Sequence, residues 1–170
     1  ADNLQAANSV VAGTFDGTEA KSAPLPGTCG GSDPLAYQVV DTLRVSVTGD
    51  YTVFDALWLD GIKNGGVDVS ALIYTGVFDI DNPDLNLVTP DGIDYIGEVT
   101  LQAGVSYKLV VQQWCVNREG AWALTFTGPG EVVSSQAVTM PDLTEGRFAA
   151  SDPVASTACV DGQYHVSDPV

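Results

Sequence analysis

The stretch from Asp79 to Asp94 holds the densest set of groups able to do chemistry: Asp79, Asp81, Asp84, Asp91 and Asp94. Calcium takes six to eight oxygen ligands, many of them carboxylates, so this run makes calcium the one cofactor the sequence suggests. The spacing is not that of an EF-hand, because no Asp-x-Asp-x-Asp-Gly run is followed by a bidentate Glu. Aspartates beside Asn and Pro, as in Asp79-Ile-Asp81-Asn-Pro-Asp84, equally use their carboxylates to cap turns. The residue types leave both readings open and require no cofactor.

Catalytic arrangements are harder to find. His165 is the single histidine, set between Tyr164 and Val166 with no Ser or Cys pattern of an activated nucleophile, so a hydrolase triad is not expected. Paired carboxylates for glycoside cleavage act only across a cleft, and nothing in the sequence places such a pair. The chain is therefore read as a non-enzyme. Trp58, Trp114 and Trp122 could form a platform for sugar rings, which would make a glycan a partner. Trp122, however, falls in phase with Leu124 and Phe126 as a core position, and Trp58 lies in a segment apolar on both faces. Trp114, beside Cys115, is the aromatic best placed to face solvent or pack on a disulfide.

Three cysteines, Cys29, Cys115 and Cys159, lack the CxxC pairs and histidines of a zinc site. They permit three single bridges. Cys29 with Cys115 would staple one domain and leave Cys159 unpaired or free to link to another molecule. Six Lys and Arg stand against 22 Asp and Glu, a formal charge of −16. That charge repels phosphates and anionic lipid, so nucleic-acid binding is not expected. No apolar run is long enough to cross a membrane. The start at Ala1-Asp2-Asn3, without Met, is the one expected of a mature secreted chain. These features point to an extracellular or cell-surface protein.

The elements that must position these residues are strands. From Tyr37 the odd positions through Val47 are mostly apolar, the period of a half-buried strand, and Gly49-Asp50 is read as its turn. Tyr51–Leu59, Val67–Tyr74, Tyr95–Leu101, Val105–Val111 and Ala121–Thr127 follow, with Gln102-Ala103-Gly104 read as a turn and Cys115–Gly120 as a hairpin. No segment has a helical period. Short strands with regular turn signals predict an all-β fold, an antiparallel jelly-roll-like β-sandwich with extended N- and C-terminal segments. Residues 1–35 are read as an N-terminal extension or entry strand, 36–130 as the sandwich core, and 131–170 as a C-terminal extended segment.

The runs Tyr51-Thr-Val-Phe-Asp55, Ala71 to Pro83, Leu101 to Val111 and Leu124 to Gly130 together resemble the bacterial pre-peptidase C-terminal domains and related CUB-like sandwiches. The resemblance covers about the central hundred residues, a normal single-domain span. It implies a jelly-roll accessory module of secreted enzymes, adhesins and surface proteins, with no shared catalytic site. Some relatives bind calcium or a polymer, but no binding motif of the family carries over to these positions.

The two ends share an order of landmarks. Gly13-Thr-Phe15, Cys29 and Tyr37-Gln-Val39 are echoed by Gly146-Arg-Phe148, Cys159 and Tyr164-His-Val166. Some forty residues after the domain has closed bury too little to form a second core. The tail is thus read as a donor strand for a neighbour or the start of a further module, with Val132, Val133, Val138, Phe148, Cys159, Tyr164 and Val166 as its assembly residues. Asn3–Ala12, with Leu4, Ala6, Ala7, Val10 and Val11, reads likewise as a docking strand or as a terminal strand docked on its own domain. The function expected is an extracellular structural subunit of a bacterial surface fibre, associating head to tail with itself or with adjacent modules by donor-strand-type complementation. The alternative is an accessory module that binds polysaccharide or peptide, with calcium if the acidic loop holds it.

Overall fold

A computed structural model describes residues 6–59, 62–63 and 66–135. Among these the chain forms strands and no helix: β1 (Ala7–Phe15), β2 (Lys21–Ser22), β3 (Leu35–Val45), β4 (Gly49–Asp55), β5 (Trp58–Leu59), β6 (Ile62–Lys63), β7 (Val69–Thr75), β8 (Ile96–Leu101), β9 (Tyr107–Gln113), β10 (Gly120–Gly128) and β11 (Val132–Ser134). The first sheet has the order β1-β10-β4-β8. The second runs β11-β3-β9-β7, with β2 beside the start of β3, and β5 and β6 form a small ribbon. Every pairing is antiparallel. The all-β sandwich expected from the strand periods is thus observed. It takes strands from both sides of the 36–130 span: β1 and β2 before it, β11 after it.

Strands of the two main sheets alternate along the chain, so the connections between them arch from one sheet to the other. The Cys115–Gly120 segment is accordingly not a hairpin, since β9 and β10 lie in different sheets. A hairpin and an arch use the same polar, Gly-containing connection and the same alternation, and period alone does not separate them. Gly49 and Asp50 belong to β4 rather than to a turn, and Val47, in the connection, is 43% exposed. Tyr51–Leu59 is likewise not one strand. The Asp55 carboxylate accepts the Leu57 N–H at 3.0 Å, a local bond that turns the chain and ends β4 before β5.

β3 carries the largest departure from simple alternation. Its pairing with β9 shifts between Val40 and Leu43, and both of these residues are buried in the main core. The bulge moves the inward phase from even to odd positions. Tyr37 and Val39 consequently pack in a second apolar cluster with Leu25, Leu72, Tyr74, Val110, Phe78 and Leu87. β7 reads buried at every position from Val69 to Tyr74 because its sheet is covered on both faces: Ala71 and Ile73 join the main core, Leu72 and Tyr74 the second cluster. Continuous apolar strands are what two-sided burial demands.

In the first sheet, Trp122, Leu124 and Phe126 point into the core with no exposed surface, as their spacing predicts. Tyr51 lies across the backbone of Gly128, where an added Cβ would sit 2.2 Å from the ring. The ring cannot yield easily, because its hydroxyl donates to the Val47 carbonyl at 2.7 Å. Gly128→Ala is therefore expected to cost about 1–3 kcal/mol through overpacking. A lowered urea midpoint with an unchanged slope checks this; an unchanged midpoint would mean that the ring has room to move.

Candidate functional site

The acidic loop between β7 and β8 is built as a cover. Phe78 stands edge-on to Tyr37 at 6.0 Å and tilted against Tyr74 at 4.9 Å. The Tyr74 hydroxyl donates to the Pro83 carbonyl at 2.9 Å. The loop also closes the outer edge of β7 by backbone bonds. Thr75 N–H donates to Asn86 O, Val88 N–H to Ile73 O, and Ala71 and Ile93 exchange both bonds at 2.8 Å. A sheet edge that would otherwise attract another strand is thereby occupied.

The aspartates of this loop take separate parts. Asp79 binds its own turn: its carboxylate accepts the Asn82 side-chain amide and the Asp81 N–H, each at 3.0 Å. These bonds, the Asn82 amide foremost, hold its carboxyl below the usual range. Asp81 and Asp84 border an open concavity with Asn82, Pro83 and Leu85. Asp91 lies beside Gly27, across the entry loop. Burial pushes the Asp94 carboxyl upward, a direction that disfavours the charged form. Among the described residues no group of three or more His, Cys, Asp or Glu side chains is arranged to hold a metal ion.

Tyr74 provides a pH-dependent handle on the cover. Burial, reinforced by the negative charge of Asp84, pushes its phenol up to about 12, against about 10 in an unfolded chain. The folded state thus favours the neutral phenol. Its contribution is complete below pH 10 and is lost as pH rises toward 12, by about 1–2 kcal/mol once solvent screening of the part-buried hydroxyl is allowed for. Burial also raises Tyr51, which adds a loss of the same sign. Tyr74→Phe is expected to flatten part of this alkaline slope, at a cost of about 1 kcal/mol for the hydroxyl bond. Urea midpoints compared at pH 9 and pH 11.5 test it, and an unchanged slope in the variant would remove Tyr74 as a cause.

The entry loop before β3 is tied down by a buried glutamine and a disulfide. Gln112, with no exposed surface, accepts the Leu25 N–H at 2.8 Å and donates to Ser22 Oγ at 2.9 Å and Ala23 O at 3.2 Å. Cys29 and Cys115 form a disulfide with a Cα–Cα distance of 5.0 Å, one of the three bridges the sequence allows. Asn117, just beyond, accepts the Ala36 N–H at 2.7 Å and donates to the Pro34 carbonyl at 2.9 Å. Neither Gln112 nor Asn117 is distinguishable by sequence from an ordinary polar strand or loop residue. Trp114 is half-buried and lines, with Val67, Asp68, Cys115, Val116 and Arg118, a pocket of about 170 Å³.

The strand edges differ from one another. β1 and β8 bound the first sheet, and Ile96 on β8 is 58% exposed. On β11, Val132 is buried opposite Val45, whereas Val133, opposite Arg44, is 60% exposed. Val138, Phe148, Cys159, Tyr164 and Val166 lie outside the described residues, as does His165. β1 overlaps Asn3–Ala12, the segment read as a docking strand or a self-docked terminal strand, and it takes the second of these forms. It docks on β10 of its own chain through nine consecutive pairs, Ala7↔Gly128 to Phe15↔Gly120, and puts Val11 and Phe15 in the core. Its signal in the sequence is the run of small and β-branched residues up to Ala12, followed by Gly13-Thr-Phe15 as half of the terminal repeat.

No protein-family model, curated protein or solved structure matches the chain. The disulfide is of a kind that persists in oxidising compartments. Among the described residues no helix is long and apolar enough to cross a membrane.

Proposed function

We propose that this chain is an extracellular structural module of a bacterial surface fibre, a jelly-roll-like domain of the pre-peptidase C-terminal type that associates with copies of itself through an extended terminal strand. The observation that carries the reading is the place of β1. It is the first strand among the described residues, it forms an edge of its sheet, and it nevertheless supplies buried core residues. A terminal strand that completes a core is the element that donor-strand assemblies exchange. The two edges of this sheet are different strands, β1 and β8. A contact in which the terminal strand of one copy completes the sheet of another joins two different surfaces and is head-to-tail, and a head-to-tail contact that does not close gives a filament.

The acidic loop supports the same reading by what it does. Its apolar residues and backbone seal one face and one edge of the other sheet, leaving less for a ligand to address. Negative-stain electron microscopy of the natively isolated protein tests the proposal. Filaments with a repeat near one domain length are expected. Uniform single particles that stay separate at high concentration would overturn it and return the chain to the accessory ligand-binding class, to be pursued by calcium and glycan titration.

A further inference from the structure

The seam between β1 and β10 is keyed by size. Along its inner face Phe15 lies opposite Gly120, Trp122 opposite Gly13, and Phe126 opposite Ser9, with Val11 and Leu124 paired between them. The indole of Trp122 fills the place of the missing side chain: a Cβ on Gly13 would stand 2.7 Å from three of its atoms. A slip of one residue would turn Val11 and Phe15 away from the core. A slip of two residues in one direction sets Phe15 against Trp122 and Val11 against Phe126. In the other direction it sets Val11 against Trp122 and leaves Gly13 facing Gly120. One register satisfies the seam, so β10 selects this segment and this alignment. None of these contacts depends on which copy supplies the segment.

Among the described residues a single connection joins β1 to the rest of the domain, and most of its bonds are local. The exceptions are Gln38 Nε2, which donates to the Glu19 carboxylate at 3.1 Å, and the Tyr37 N–H, which donates to the Ala20 carbonyl at 3.0 Å. In Asp16–Ala20 the Glu19 carboxylate accepts the N–H groups of Asp16 at 2.8 Å and Gly17 at 3.0 Å. Asp16 accepts the Thr18 N–H at 2.9 Å and hydroxyl at 2.6 Å. All but Glu19 of these five residues are exposed, so opening the turn exchanges its bonds for bonds to water at little cost. Extended, the five residues span roughly 17 Å. The edge of β10 cannot stand empty, because Trp122, Leu124 and Phe126 lie behind it and their apolar surface would meet water.

Resting on the self-association reading above, we propose that β1 is the exchanged strand. In the assembled form the β1 of one copy fills the β10 edge of the next, in the register it takes here, and the partner it fits is a second copy of this chain. The released β10 edge then accepts the β1 of a further copy, and the exchange propagates. β11 is a poorer donor, with three residues in the ladder and Val133 exposed.

Cross-linking of mixed assemblies tests the proposal. Two full-length variants are prepared, V10C and T125C, each also carrying Cys159→Ser so that the third native thiol plays no part. Val10 and Thr125 lie opposite one another in the seam, and neither variant can form this cross-link within itself. After co-assembly at equal amounts and mild oxidation, random mixing places V10C against T125C in roughly a quarter of the exchanged seams. A V10C–T125C product at that level on a non-reducing gel is the expected result. Filaments lacking the product would overturn exchange of β1 and leave self-association to another surface. Separate particles lacking it would overturn both.

A locking variant gives a second measurement. Full-length V10C/T125C in the Cys159→Ser background, oxidised as a dilute monomer, is expected to stay monomeric under the oxidising conditions in which the Cys159→Ser protein, with the same Cys29–Cys115 bridge intact, forms filaments. Assembly of the locked monomer at the same rate as the Cys159→Ser protein would overturn the proposal independently.

Discussion

Replacing Trp122 with alanine is expected to lower the stability of the domain by about 3–5 kcal/mol, the range of a fully buried large aromatic. Trp122 has no exposed surface, so the deletion opens a cavity facing Gly13. It also breaks a polar relay. The indole N–H donates to Gln38 Oε1 at 2.8 Å, and Gln38 Nε2 in turn donates to the Thr14 carbonyl of β1 at 2.7 Å. Leaving a part-buried amide oxygen without its donor adds to the loss. The complementary change, Gly13→Val, overfills the same place and is expected to cost about 1–3 kcal/mol by itself. Because the two residues share one space, the double variant should recover at least about 1 kcal/mol relative to the sum of the single changes. Urea unfolding of the four proteins measures the coupling. Strict additivity would show that Gly13 and Trp122 do not key the seam.

The second large effect belongs to the disulfide. Cys29 and Cys115 are separated by 86 positions, and closing a loop of that length removes about 4–5 kcal/mol of entropy from the unfolded chain on the chain-entropy account. The bridge also joins two segments that depend on one another in the folded state, since Asn117 binds both Pro34 and Ala36. Cys29→Ser/Cys115→Ser is therefore expected to lose about 3–5 kcal/mol and to become insensitive to reductant. The unaltered protein should lose a similar amount when reduced, and Cys159→Ser should retain that sensitivity. A shift below about 1 kcal/mol would mean that hydrogen bonds and packing, rather than the bridge, hold the entry loop.

Several elements are legible in the sequence because a single physical rule governs them. Trp122, Leu124 and Phe126 alternate through a strand with one face in the core, and they are buried as their spacing requires. The absence of a helical period matches a domain with no helix among the described residues. Two-sided burial is readable at β7 as an uninterrupted apolar run. β3 misleads for a definite reason. A bulge adds one residue and reverses the phase, so Tyr37 and Val39, in step with Leu43 and Val45 by number, face the other side of the sheet.

The candidate site is less legible. Asp79 to Asp94 stands out by composition, yet whether carboxylates converge or diverge is a property of the backbone path. Here Asp79 serves its own turn and Asp91 faces the entry loop. Gln112 and Asn117, which fix that loop, are polar residues with no local pattern, because their partners lie 77 to 90 positions away.

Neighbours along the chain set strand rather than helix, the strongly acidic charge, and the inward phase of regular strands, and all three can be read from the residues in order. What distant segments do to one another follows only from the folded arrangement. Folding chose Cys29–Cys115 among three bridges, spread the two sheets across alternating strands, and laid the acidic loop over β7. It also set Phe15, Gly13 and Ser9 against Gly120, Trp122 and Phe126. Periodicity records which face of a strand is apolar, but it carries no information about which other face will cover it. That choice is made by shape and size across gaps of about a hundred residues, where one register of β1 on β10 fits and its neighbours do not.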